Sequence, residues 1–70
     1  MEIVNNRSNI RISFEDGRES ITLQSDDFFN SEIKWTADEE REYLQERFPF
    51  LDDEEINEII NNLQCAEWID

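Results

Sequence analysis

Residues 10–23, "IRISFEDGRESITL", decide the fold. Ile10, Ile12 and Phe14 fall on one parity, with Arg11 and Ser13 on the other. Beyond "EDGR" the alternation resumes, Ile21 and Leu23 standing against Ser20, Thr22 and Gln24. A period of two puts one face against a core and the other in water, as in half-buried strands. Asp16-Gly17 predicts a tight hairpin turn between them, because glycine accepts the positive φ that such a turn requires. Upstream, Ile3-Val4 joined through "NNRSN" extends the hairpin to a three-stranded antiparallel meander within residues 1–24.

Downstream the period changes. Residues 25–35, "SDDFFNSEIKW", form a connector whose Phe28, Phe29, Ile33 and Trp35 are expected to pack between sheet and helices. Thr36 and Glu39 then form a capping box, the hydroxyl covering a free amide while the carboxylate reaches back to the cap. The segment 36–48 is expected to hold a helix from 37 to 47, which Pro49 ends by restricting Phe48 to extended conformations. Asp52 and Glu55 can act in the same way for a second helix in the segment 52–65, with "FPFL" as the corner of an αα-hairpin. The expected fold class is α+β, a short three-stranded antiparallel sheet followed by an αα-hairpin, in one domain spanning 1–70.

Seventy residues supply one modest core, and the 37% of hydrophobic residues is enough apolar material to fold it. The chain carries 19 acids, 6 basic residues and no histidine, a formal charge of −13. That balance argues against direct binding to nucleic acid or to an anionic membrane, both of which ask for Lys and Arg, and points towards a basic partner. Charge is also uneven: residues 36–70 hold 12 of the acids and only 2 of the basic residues.

At about 100° per residue, Ala37, Leu44 and Phe48 cluster on one side of the first helix, with Asp38, Glu39, Glu42 and Glu46 opposite. On the second, Ile56, Ile59, Ile60 and Leu63 make the apolar stripe, and Glu54, Glu55 and Glu58 lie across from it with Asn61 and Asn62. First-turn acids complement the helix dipole, typically by about 0.3–1 kcal/mol each, which accounts for Asp38, Glu39, Glu40, Asp52, Asp53, Glu54 and Glu55. Glu42, Glu46 and Glu58 lie further along, and the i,i+4 repeats Asp38/Glu42/Glu46 and Glu54/Glu58 are like-charge pairs costing about 0.2–0.5 kcal/mol each. A surface serving stability alone would alternate signs. Acids about 5–6 Å apart on a helix approach the spacing of phosphates along a DNA strand. The candidate partner-binding residues are therefore Glu42, Glu46, Glu54 and Glu58 first, then Asp38, Glu39, Asp53 and Glu55, which capping and the dipole already explain.

With its acidic "TADEEREYLQER" and "DDEEINEIINN" helices, small size and β-then-helix layout, the chain resembles the phage-encoded DNA-mimic proteins that shut down host DNA-binding proteins. Among these it is similar in size and charge to a Bacillus-phage inhibitor of the histone-like nucleoid protein HU. The resemblance is one of composition over the whole chain. It implies stoichiometric binding to a basic DNA-binding surface, displacement of DNA and no turnover, in the cytoplasm of a bacterial host.

No histidine is available for a Ser/His/Asp or Cys/His arrangement, and a chain this short leaves little room for a substrate cleft, so no enzyme, metal site or cofactor is expected. The acids at 52–55 lack the glycine-containing spacing of an EF-hand loop. Cys65, the lone cysteine, is expected to be a small core residue. Asn6-Arg7-Ser8 matches a glycosylation sequon without a secretory context, and the N-terminus has no signal pattern, which suggests a cytoplasmic protein. Trp68 and Ile69 are expected to pack back onto the sheet in a monomer or to anchor a homodimer, which would suit a two-fold symmetric target. The alternative function is an adaptor that binds through Phe28, Phe29, Trp35 or Trp68, with the acids serving solubility.

Overall fold

In the computed structural model, described for residues 1–24 and 35–70, the N-terminal part is an antiparallel sheet of order β1-β2-β3. The strands are β1 (Glu2–Asn5), β2 (Asn9–Ser13) and β3 (Ile21–Gln24). Ile3 stands opposite Ile12, Ile12 opposite Ile21, and Ile10 opposite Leu23, so the odd-even pattern of the sequence becomes one apolar face. Ile10, Ile12, Ile21 and Leu23 on that face are buried, whereas Arg11 and Thr22 on the other are exposed. Of the aromatic residues expected to join sheet and helices, Phe28 and Phe29 lie outside the described residues, as does Ile33.

The β2–β3 connection is wider than the tight turn expected at Asp16-Gly17. Pairing stops near Ser13 and resumes at Ile21, and Phe14 leaves the strand to pack half-buried against the core. Gly17 does take a positive φ, 90°. The register, with Ile12 opposite Ile21, still centres the turn on Asp16-Gly17, and Arg18 follows directly after it. Its Nε donates to Asp16 at 2.9 Å, its two terminal nitrogens donate to the Glu55 carboxylate at 3.0 and 2.6 Å, and its guanidinium lies 4.2 Å from the centroid of the Phe14 ring. It also donates to the Phe50 carbonyl at 3.3 Å. A fork that serves a carboxylate in two places and stacks on an aromatic face ties this loop to the helical corner.

The helices are α1 (Ala37–Arg47) and α2 (Asp53–Cys65). Both capping boxes are formed: Glu39 N–H donates to Thr36 Oγ1 at 3.2 Å and Glu55 N–H to Asp52 Oδ1 at 2.8 Å, with Glu39 and Glu55 each accepting from the N-cap amide. The corner after Phe48 buries Leu51 and leaves Phe50 exposed at 47%. Phe50 meets Phe14 edge-on, with ring centroids 6.0 Å apart.

Past α2 the chain reverses through a Schellman cap, in which Glu67 N–H donates to the Gln64 carbonyl and Trp68 N–H to that of Leu63, both at 3.0 Å. Glu67 takes the left-handed φ of 62° that this cap demands and glycine usually supplies. The reversal returns Trp68 and Ile69 to the core, where both are buried. Asp70 N–H then donates to the Trp35 carbonyl at 2.9 Å.

Two residues depart from expectation. Cys65 is exposed. The helical count explains it, since Cys65 falls at about the same angle as Glu54 and Glu58, on the polar side of α2. Glu40, read from the sequence as a first-turn acid serving the helix dipole, is fully buried, and neither carboxylate oxygen has a partner among the described residues. It lies only about 40° from Leu44 around the helix, so it follows the apolar stripe inward. Burial pushes its carboxyl up to about 7.

Two predictions follow from these contacts. A carboxyl raised on folding stabilises the fold fully below its unfolded pKa, and the benefit is lost as pH rises through the folded value. Stability is therefore expected to fall between about pH 4.5 and 7, by roughly 3 kcal/mol at most. Glu40→Gln should flatten that decline in urea titrations at pH 5 and 8. Arg18 acts with the opposite sign: its hydrogen bonds hold the Glu55 carboxyl below the usual range. Arg18→Ala should cost about 1–2 kcal/mol near neutrality. The difference from wild type should shrink once the pH is acid enough to protonate Glu55.

Candidate functional site

Six of the eight candidate acids line two clefts. On α1, Glu39, Glu42 and Glu46 surround the Trp35 and Tyr43 rings, which meet edge-on with centroids 5.4 Å apart. All three acids are exposed. The helical count places Tyr43 at about 140°, beside Glu39 at about 100° and Glu46 at about 80°, so the ring belongs to the anionic side of the helix. Arg47 already lies 5.8 Å from the Tyr43 ring centroid. Carboxylates around an aromatic edge and face make a receptor for an ammonium or guanidinium group.

The second cleft, about 790 Å³ and open to solvent, runs along α2 where it faces α1. Glu54 and Glu58 line it together with Asn57, Asn61 and Arg41. Arg41 donates to Asn57 Oδ1, a contact from one helix to the other. Its charge sits among the α2 acids and partly offsets them, whereas the α1 cleft contains no basic side chain among its lining residues.

Asp38 and Asp53, at the first positions of their helices, are exposed. Glu55 is the least available of the eight. Its carboxylate accepts from Arg18 twice and from the Asp52 amide, and its side chain is only 15% exposed. Among the described residues both ion pairs belong to Arg18, with Asp16 and with Glu55. Glu42, Glu46, Glu54 and Glu58 thus have no cationic partner within the described fold.

The acidic faces expected on the two helices stand as an aromatic-centred group on α1 and an amide-lined group on α2, and neither of these two clefts among the described residues is lined by both sets. Sequence reading passed over Tyr43 as a site residue although its angle showed where it stood. Arg41 and Asn57 carried no such signal, since their meeting depends on how two helices pack. No group of three or more Cys, Asp or Glu side chains among the described residues is arranged to hold a metal ion. No described helix is long and apolar enough to cross a membrane. No family model, curated protein or solved structure matches the chain.

Proposed function

We propose that this chain is a DNA mimic that binds the basic DNA-binding surface of a host protein, for example an HU-type nucleoid-associated protein, and blocks its access to DNA. The observation that supports the reading is the state of Glu42, Glu46, Glu54 and Glu58. They are exposed, spaced by helical turns and without an ion-pair partner among the described residues. Like charges held together on one helix destabilise it, and a partner bearing Lys and Arg removes that cost on binding. The α1 cleft adds a recognition element that a phosphate row lacks, since an arginine of the partner can be received by carboxylates and stack on Tyr43 at once. The protein acts stoichiometrically, with no catalytic step, in the cytoplasm of a bacterial host cell, and neither nucleic acid nor membrane is its direct ligand.

Of the residues named for the adaptor reading, Phe28 and Phe29 lie outside the described residues and Trp35 is half-buried; an observation that favours an adaptor comes from a residue not named for it, the exposed Phe50 beside Phe14 and Phe48. Trp68 no longer serves it, being buried in the core. An adaptor working through Phe50 would hold its partner as firmly at high salt as at low.

Capture from a bacterial lysate separates the two readings. The mimic is expected to retain basic DNA-binding proteins at low salt and to release them when salt or duplex DNA is added. Glu42→Lys with Glu58→Lys should weaken that capture at least about thirtyfold, roughly 2 kcal/mol. Thermal stability should be unchanged or higher, because position 42 lies between Asp38 and Glu46 at i±4 and position 58 lies four residues after Glu54. Retention undiminished by the double change would contradict the reading.

A further inference from the structure

β1 is an edge strand: β2 pairs with one side of it, and no described residue pairs with the other. The parity of the ladder fixes which groups point outward. Asn6 donates its N–H to the Asn9 carbonyl at 2.8 Å, and Val4 stands in register with Arg11. Hydrogen-bonded and non-bonded pairs alternate in an antiparallel ladder, so Glu2, Val4 and Asn6 bond inward to β2. Ile3 and Asn5 present their N–H and C=O groups to the outside. Such an edge is self-complementary about a two-fold axis through Val4. Antiparallel pairing with a second copy sets Ile3 opposite the partner's Asn5 and Asn5 opposite the partner's Ile3, each pair exchanging both bonds. Val4, 44% exposed on the outer face, then meets the partner's Val4.

Charge selects a second copy as the occupant. In a chain of net −13, residues 1–14 contain one acid, Glu2, against Arg7 and Arg11. Two copies therefore meet with less repulsion along this strip than across the helices, although Met1 and Ile3 border Glu58 of α2.

We infer that the chain forms a two-fold homodimer by antiparallel pairing of β1 with β1 of a second copy, joining two three-stranded sheets into one continuous sheet. This inference is independent of the proposed function. Screening between the two anionic bodies should strengthen the dimer as salt rises, whereas capture of a basic partner should weaken.

Sedimentation equilibrium of the full chain at low and high salt tests it. The dimer fraction is expected to rise with protein concentration and with salt. Asn5→Pro removes an outward N–H and leaves the inward bonds of Val4 and Asn6 in place, so it should lower the association constant at least about tenfold with an unchanged circular dichroism spectrum. Val4→Cys in a Cys65→Ser background should cross-link under a thiol oxidant, because non-hydrogen-bonded partners lie about 4.5 Å apart at Cα, within disulfide reach. Thr22→Cys in the same background, on the same sheet face but on β3, should not. A wild-type chain that stays monomeric at millimolar concentration and high salt would overturn the inference. So would a folded Asn5→Pro that associates as wild type does, or cross-linking at Thr22 as fast as at Val4. If Asn5→Pro fails to fold, the cross-linking comparison decides.

Discussion

Arg18 is one of six basic residues set against nineteen acids, and it is placed where a cation holds the most structure together. Its guanidinium joins the β2–β3 loop, through Asp16 and Phe14, to the start of α2, through Glu55 and the Phe50 carbonyl. Glu55 is also the reciprocal member of the α2 capping box, so the same carboxylate closes a local motif and a long-range one. Arg41 and Arg47 are likewise engaged, with Asn57 and Tyr43. Cations are scarce, and those on the described helices are occupied. Glu42, Glu46, Glu54 and Glu58 are consequently left as a field directed at solvent, which is the physical basis of the proposed function.

What could be seen in the sequence was whatever depends on near neighbours. The alternation of Ile10, Ile12, Ile21 and Leu23 specified the sheet face, and the Thr36/Glu39 and Asp52/Glu55 boxes specified where the helices begin, because each signal lies within a few residues. The hairpin turn at Asp16-Gly17 was legible, and the register of β2 with β3 centres on it, but the early end of the ladder at Ser13 and the bond from Arg18 to Glu55, 37 positions away, were not. Glu40 was misjudged by its charge. Its angle on α1 put it near Leu44, and the geometry of the helix prevailed over the preference of a carboxylate for water. Cys65 shows the reverse, a residue type that favours interiors carried to the surface by its position on α2. For the site, the acids were legible from periodicity, but their division between an α1 cleft centred on Tyr43 and an α2 cleft containing Arg41 depends on tertiary packing.

The molecule separates its surfaces by charge. The helices present carboxylates, the exposed strand β1 carries almost none, and the buried Glu40 removes one acid from the surface altogether. Salt acts on these surfaces in opposite directions, weakening attraction to a basic partner and relieving repulsion between copies. A dimer would present the acidic helices of both protomers together, doubling the anionic surface available to a two-fold symmetric DNA-binding protein.

The most direct measurement is competition for DNA. A fluorescently labelled duplex bound to an HU-type protein is titrated with this chain while anisotropy is followed. Anisotropy is expected to fall to the value of free duplex near one chain per DNA-binding site, with more chain needed as salt is raised at constant initial occupancy. A duplex that stays bound in the presence of a large molar excess of the chain at low salt would contradict mimicry towards this class of target.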